Sequence, residues 1–182
     1  MPVRACGWLT GGADGLQGMS VAPVFGTFRF DMFGRTAYPN GIALSDDERH
    51  LFVATNGAIQ VVDLNDATPT ALHLPEGLTI PSIDGLYFYK NSLIAIQPFE
   101  AEKAVVRYTL NEARDTITGE TILEATHPLL NQPTTGAIVD GWFYYIANSQ
   151  LQHFRRLYDT SGDAYDHQQL SDVVLLKVNL EG

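Results

Sequence analysis

Ile83-Asp84-Gly85-Leu86 opens the stretch that decides the fold, and Ser92-Leu93-Ile94-Ala95-Ile96-Gln97 closes it. A polar residue before glycine begins a short apolar strand, a turn follows, and a second apolar strand ends in an amide. Two further segments repeat this order: Pro39-Asn40-Gly41-Ile42 with Leu51 to Asn56, and Thr134-Thr135-Gly136-Ala137 with Phe143 to Asn148. The glycines lie 44 and 51 residues apart. This spacing fits propeller blades better than helical repeats, because every unit reads as strands.

A further strand follows each repeat, at Ile59–Leu64, Val105–Leu110 and Val173–Leu180. Its alternation of apolar and polar residues is typical of an outer blade strand, packed on one side and solvated on the other. Thr27–Asp31 has the same character and predicts the edge of one more blade. Asn111–Thr116 lacks an apolar stripe and is predicted to be a polar loop between blades.

These patterns predict an all-β fold of propeller-type blades, each a four-stranded antiparallel meander. Residues 1–182 form one partial propeller domain in this interpretation, with a partial blade and loop at 1–38 and blades at 39–83, 84–132 and 133–182. About three complete blades and a partial one form an open arc rather than a closed ring. An open arc exposes apolar faces and unpaired strand edges. We therefore expect either the C-terminal half of a longer protein or self-association of two half-propellers.

The composition restricts the partners of the chain. Its formal net charge is −10, and nucleic-acid binding depends on Lys and Arg contacts to phosphate, so no nucleic acid is expected. No window is long and apolar enough to span a bilayer, and the start lacks the apolar segment of a secretory signal. The single cysteine, Cys6, excludes an intramolecular disulfide. The chain is expected to be soluble and, as given, cytoplasmic; a truncated N-terminus leaves a periplasmic or secreted location open.

Polar residues are predicted to collect at one rim of the blades. In a meander the start of the first strand and the end of the second lie at the same end. This places Asn40, Asp84 and Thr135 on the same face as Gln97 and Asn148. Carboxylate, carbonyl and amide oxygens are the ligands that hard cations prefer. The rim is therefore a candidate site for one divalent cation, with calcium first and magnesium, manganese or zinc as alternatives.

Each of these residues also has a purely structural interpretation. Asn40 and Asp84 precede glycine, where Asn and Asp commonly stabilise turns. A carboxylate between Ile83 and Leu86 is costly to bury without a partner, so a cation and a hydrogen-bond network both remain open for Asp84. Asn148 either satisfies loop backbone or faces a ligand.

The Pro39–Asp47 segment and the Ile83-Asp84-Gly85 turn resemble the gluconolactonase and senescence-marker-protein (regucalcin-like) family of six-bladed propellers. The resemblance extends over roughly residues 36–182. It implies a hydrolase that opens sugar lactones with one divalent cation. Asn40 would be a metal ligand, and Asp84 both a ligand and the residue that activates water. Asn148, Gln97 and Thr135 are candidate substrate contacts.

The chain also departs from the pattern of that family. Its members use a glutamate from the first blade and commonly an asparagine from the blade before the Pro-Asn-Gly turn. No Glu precedes Glu48 and no Asn precedes Asn40 in this sequence. Two other functions therefore stay open: a non-catalytic propeller that binds a partner or small ligand on the same rim, and a propeller esterase or synthase.

Overall fold

The computed structural model describes residues 39–55, 57–66, 69–100, 102, 104–151 and 170–182. All eleven elements of this part of the chain are β-strands. No helix in it is long and apolar enough to cross a membrane. The partial blade predicted within residues 1–38 and the amide Asn56 lie outside the described residues.

Three antiparallel sheets follow one another along the chain. The first is β1 (Ile42–Leu44), β2 (His50–Thr55), β3 (Ala58–Asp63) and β4 (Pro69–Ala71), in that spatial order. The second is β5 (Leu86–Tyr89), β6 (Ser92–Ile96), β7 (Val105–Leu110) and β8 (Ile117–Glu124). The third has β10 (Trp142–Ile146) between β9 (Gly136–Val139) and β11 (Leu175–Asn179). The all-β, propeller-type arrangement of meanders that do not close on themselves is confirmed.

The second sheet lies between the other two and is apolar on both faces. Along β6, Leu93 and Ala95 pack toward the first sheet, whereas Ile94 and Ile96 pack toward the third. Because side chains alternate between the faces of a strand, only an uninterrupted apolar run can fill both. This is why residues 93–96 of β6 are buried at every position. Two hydrophobic cores, one on each side of the second sheet, join the three blades.

Gly41 is needed because two first strands approach each other closely. A Cβ at this position would lie 2.5 Å from the backbone nitrogen of Leu86. The glycine therefore permits contact between β1 and β5, the first strands of neighbouring blades. Two-residue turns with both residues at positive φ, Lys90-Asn91 and Asp140-Gly141, close the β5–β6 and β9–β10 hairpins.

Three details of the predicted strands are corrected. Gly136 pairs with Tyr145, so its place in the third sheet is that of Ile42 in the first and Leu86 in the second. The sequence repeat aligned Gly136 with Gly41 and Gly85, each of which precedes that place by one residue. Asn111–Thr116 is the turn between β7 and β8 and therefore lies within a blade. In the first two sheets β3 and β7 are interior strands, since β4 and β8 lie outside them. The outer β4 is short and begins with proline, as edge strands often do.

Charged side chains connect neighbouring sheets at the lower rim. This rim carries the β1–β2, β5–β6 and β9–β10 turns and also the β7–β8 turn, which contains Arg114. Arg114 donates to Asp46 Oδ1 at 2.7 Å, and its other terminal nitrogen lies 2.7 Å from Asp47 Oδ1, at an angle that makes an ion pair but no hydrogen bond. Lys90 Nζ lies 2.6 Å from both oxygens of Glu181, which follows β11. The turns of the second sheet thus contact both of its neighbours.

We expect Gly41→Ala to destabilise the fold by about 1–3 kcal/mol, because its methyl group collides with backbone rather than with a movable side chain. Gly119→Ala is the matched control, since a Cβ there meets nothing within 4 Å. Urea unfolding monitored by tryptophan fluorescence measures both. An equal midpoint for the two variants would contradict the close approach of β1 and β5.

Acid sensitivity is a second testable property. A hydrogen bond from Ser45, with smaller contributions from Arg49 N–H and Arg114, lowers the pKa of Asp47 from 3.8 to about 2. Because the folded pKa is depressed, this carboxylate contributes stability above about pH 4 and loses it as the pH falls toward 2. Ser45→Ala should flatten the pH dependence of the unfolding midpoint in this range, whereas Ser82→Ala in an exposed loop should leave it unchanged. An equal pH dependence of the unfolding midpoint in the wild type, Ser45→Ala and Ser82→Ala would contradict this role of Ser45.

Candidate functional site

The first strands of all three blades start at one rim, held by the same backbone pattern. Asn40 N–H donates to Ala54 at 3.1 Å, Asp84 N–H to Ile96 at 2.9 Å, and Thr134 N–H to Ile146 at 3.0 Å. In each case the acceptor is at or near the end of the second strand of the same sheet. Asn40, Asp84 and Thr134 therefore occupy equivalent positions, and we call their location the upper rim.

The side chains of these three residues meet at the carboxylate of Asp84. Asn40 Nδ2 donates to Asp84 Oδ1 at 2.5 Å, and Thr134 Oγ1 donates to Asp84 Oδ2. Asn40 and Asp84 therefore lie on one rim, but the Asn40 amide nitrogen faces the carboxylate, whereas the cation site predicts that its oxygen does. Asp84 thus joins all three sheets, since each donor comes from a different neighbour. Charge-assisted hydrogen bonds of this type are stronger than neutral ones.

Thr134, which the sequence pattern did not identify, takes the position expected for Thr135. Aligning the repeats on glycine placed Thr135 beside Asn40 and Asp84, but the strand register places Thr134 there. Thr135 Oγ1 lies 3.2 Å from the Tyr87 hydroxyl. That hydroxyl accepts from Gly136 N–H at 2.6 Å, which leaves its own proton to donate to Thr135. The proline or isoleucine before each polar residue, at Pro39, Ile83 and Pro133, is a sequence signal that could have found the correct alignment.

Gln97 is completely buried instead of facing solvent. Its Nε2 donates to the Tyr108 hydroxyl at 2.5 Å, and its Oε1 has no hydrogen-bond partner among the described residues. Burial, together with the charges of Glu120 and Glu100, raises the pKa of Tyr108 against a smaller opposing effect of this hydrogen bond. The phenol therefore remains protonated and accepts the glutamine N–H.

Asn148 holds the backbone that leads into β11. Its Oδ1 accepts from Val174 N–H at 2.7 Å, and its Nδ2 donates to the carbonyl of Asp172 at 3.0 Å. The residue is also buried. These contacts match the structural interpretation of Asn148, in which the amide satisfies loop backbone.

The upper rim fits a divalent cation in the type of its donors but supplies few of them. Asp84 brings a carboxylate and Thr134 a hydroxyl oxygen to one place, whereas Asn40 turns its amide nitrogen toward Asp84. Carboxylate and amide oxygens are ligands that calcium and magnesium accept, so the Asn40 amide would have to turn over to serve as one. Within the described ranges no three His, Cys, Asp or Glu side chains are grouped as a metal site. A cation at the rim would therefore depend on one carboxylate, neutral oxygens and water.

Comparison with known proteins identifies no relative by sequence. No family model and no curated protein matches the chain. Among solved structures, a nidogen/laminin complex is similar with a TM-score of 0.48 and 14% identity over 61% of this chain. Kluyvelomyces marxianus Hsv2 is similar with a TM-score of 0.36 and 5% identity over 62% of this chain. The chain matches 40% and 31% of the length of these two proteins.

We expect Thr134→Val to lower the free energy of unfolding by about 1 kcal/mol, because it removes one donor from the Asp84 carboxylate. Thr121→Val, at an exposed position of β8, is the control for the same exchange in a strand. A double-mutant cycle of Thr134→Val with Asp84→Asn should show coupling between the two sites. Strict additivity, or equal effects of the two valine variants, would contradict the hydrogen bond as drawn.

Proposed function

We propose that this chain is part of a metal-dependent hydrolase that opens a sugar lactone or a related ester, with one divalent cation at the upper rim. The observation that carries the proposal is the convergence of Asn40 and Thr134 on the carboxylate of Asp84. The resemblance of the Pro39–Asp47 segment and the Ile83-Asp84-Gly85 turn to gluconolactonases supports it. Calcium is the first candidate because the carboxylate of Asp84 and the hydroxyl of Thr134 are oxygen groups, which hard cations prefer.

Asp84 and Asn40 would hold the cation, the former through its carboxylate and the latter through its amide oxygen once the amide turns over, because Nδ2 now faces Asp84. When bound, a divalent cation polarises the substrate carbonyl and lowers the pKa of its water. Asp84 would accept a proton from the attacking water. Its orientation is fixed by contacts from two neighbouring blades, and fixed orientation is what a general base requires.

Thr135 is the candidate substrate contact that the structure leaves exposed on this rim. Its hydroxyl is oriented by Tyr87 and lies one residue from Thr134. Gln97 and Asn148 are buried, so any substrate contact by them would follow a rearrangement of their present hydrogen bonds. We therefore assign substrate positioning first to Thr135.

Metal binding tests the proposal directly. Since calcium usually takes about six to eight oxygen ligands, the two side chains Asn40 and Asp84 should bind it only weakly. We expect millimolar calcium to raise the melting temperature of the wild-type chain, because a ligand of the native state stabilises it by mass action. Asp84→Asn should abolish this shift. Asp140→Asn, the same charge change in the β9–β10 turn of the opposite rim, should retain it.

Hydrolysis of a panel of sugar lactones and simple esters is the second measurement. The isolated chain should show weak turnover, and Asp84→Asn should reduce it by roughly two to four powers of ten, the usual contribution of a general base. Asp140→Asn again serves as the control. A calcium shift or a turnover that persists in Asp84→Asn would refute the assignment of Asp84.

Self-association is proposed from the outward faces of the first and third sheets. Ile42 and Leu44 are 59% and 45% exposed on the first sheet, and Val139 and Leu175 are 51% and 66% exposed on the third. Large exposed apolar surface is typical of interaction sites. Pairing of these faces between two copies would continue the blade-to-blade packing seen inside the chain.

We expect sedimentation velocity to show a concentration-dependent dimer of the wild-type chain that Leu175→Glu dissociates. Leu129→Glu introduces the same charge at a residue of similar exposure in the linker before β9, away from this face. It should leave the dimer intact. A wild-type chain that stays monomeric over the full concentration range would rule out the pairing.

A further inference from the structure

A pocket of about 330 Å³ opens between the loop that follows β6 and the linker that joins β8 to β9. Both segments lie at the upper rim, because β6 ends there and β9 begins there. The linker reaches Pro133, directly before Thr134. The pocket is nevertheless distinct from the Asp84 carboxylate, which is not part of its wall. Among the described residues, its wall includes Gln97, Phe99, Glu100, Leu130 and Pro133.

Gln97 contributes an unused hydrogen-bond acceptor to this wall. Its side chain is 0% exposed, and while Nε2 is committed to Tyr108, Oε1 meets no donor among the described residues. A buried polar atom without a partner costs about 1–3 kcal/mol. The terminal torsion of glutamine is broad, so rotation of the amide can turn Oε1 toward the pocket, at the expense of the present contact between Nε2 and Tyr108. A ligand that donates a hydrogen bond would remove this penalty.

The electrostatic environment favours a donor that carries positive charge. Glu100 lies in the wall, and the charges of Glu120 and Glu100 both act on the Tyr108 hydroxyl that Gln97 contacts. The whole chain carries a formal net charge of −10. A negative cleft raises the local concentration of cations. A neutral hydroxyl would satisfy Gln97 equally well but would gain nothing from Glu100.

Phe99 gives the pocket an aromatic surface. Its side chain is 66% exposed although it belongs to the wall, so its ring is accessible to a ligand. Aromatic rings attract ammonium groups within about 6 Å of the ring centre, and they also cover carbon chains. Leu130 and Pro133 add apolar surface on the linker side.

We propose that this pocket binds a small organic ammonium ion, whose N–H group donates to Gln97 Oε1 while its charge faces Glu100 and its carbon skeleton packs on Phe99. This inference does not depend on the hydrolase proposal. Asp84→Asn should leave ammonium binding unchanged, so the two proposals can fail separately.

The test compares three probes of matched size by NMR titration of the full chain: benzylammonium, benzyl alcohol and benzoate. Benzylammonium should bind about tenfold more tightly than benzoate, because a carboxylate in the wall distinguishes the sign of the probe. Benzyl alcohol should be intermediate. Chemical-shift changes should occur at the amides of residues 97–100 and 130–133.

Variants identify the groups responsible. Glu100→Gln should weaken benzylammonium binding by up to about fivefold, as expected for an exposed charge pair. Glu102→Gln, the same change two residues away and outside the wall, should have no effect. Phe99→Ala should weaken benzylammonium more than methylammonium, which has no ring to stack.

Gln97→Met removes the acceptor, and its effect is interpreted only if the variant keeps the wild-type spectrum elsewhere. Glu100 and Glu102 are exposed, so the interpretation of their glutamine variants does not depend on that condition. Equal affinities for the three probes, equal effects of Glu100→Gln and Glu102→Gln, or no shift with benzylammonium would each overturn the proposal.

Discussion

The packing of the second sheet on both of its faces is the constraint on which the rest of the structure depends. Leu93 and Ala95 fill one interface while Ile94 and Ile96 fill the other, so a single strand fixes the positions of both neighbours. Burial of each leucine or isoleucine side chain contributes roughly 1.5–3 kcal/mol. The upper rim is a consequence of this packing. Asn40 and Thr134 can meet the carboxylate of Asp84 only because their sheets are held against the middle sheet.

Much of this architecture could be predicted from the sequence because apolar runs and turn residues recur with a regular spacing. The first three strands of every blade were found in this way. Four strands per blade were expected, but the fourth strands could not be located, since β4 has three residues and begins with proline, while β8 alternates weakly and carries a glycine. Aligning the repeats on their glycines was wrong by one residue in the third blade. Gly41 permits a close approach of two strands, whereas Gly136 occupies a strand position that isoleucine and leucine fill in the other blades.

The positions of Asn40 and Asp84 could be predicted because local sequence determines them. The orientations of Gln97 and Asn148 could not, because contacts with distant residues determine them. Asn40 and Asp84 start their strands in the same manner, so their convergence follows from the repeat itself. An amide at the end of a second strand is different, because it can turn outward to the rim or inward to the loop. Gln97 turns inward to Tyr108, and Asn148 binds the backbone before β11. Those partners lie 11 and 26 residues away, beyond the range of any local pattern.

The structural role of Asp84 and the chemical role proposed for it are compatible with each other. An ionised carboxylate offers about four acceptor sites, and Asn40 and Thr134 use two of them. The remaining lone pairs are available at a rim where Asp84 is only partly buried. Two donors from separate blades hold the carboxylate in one orientation, and such preorganisation is what a metal ligand or a general base needs. A carboxylate that joins three blades is therefore also one that the fold presents, already oriented, at the upper rim.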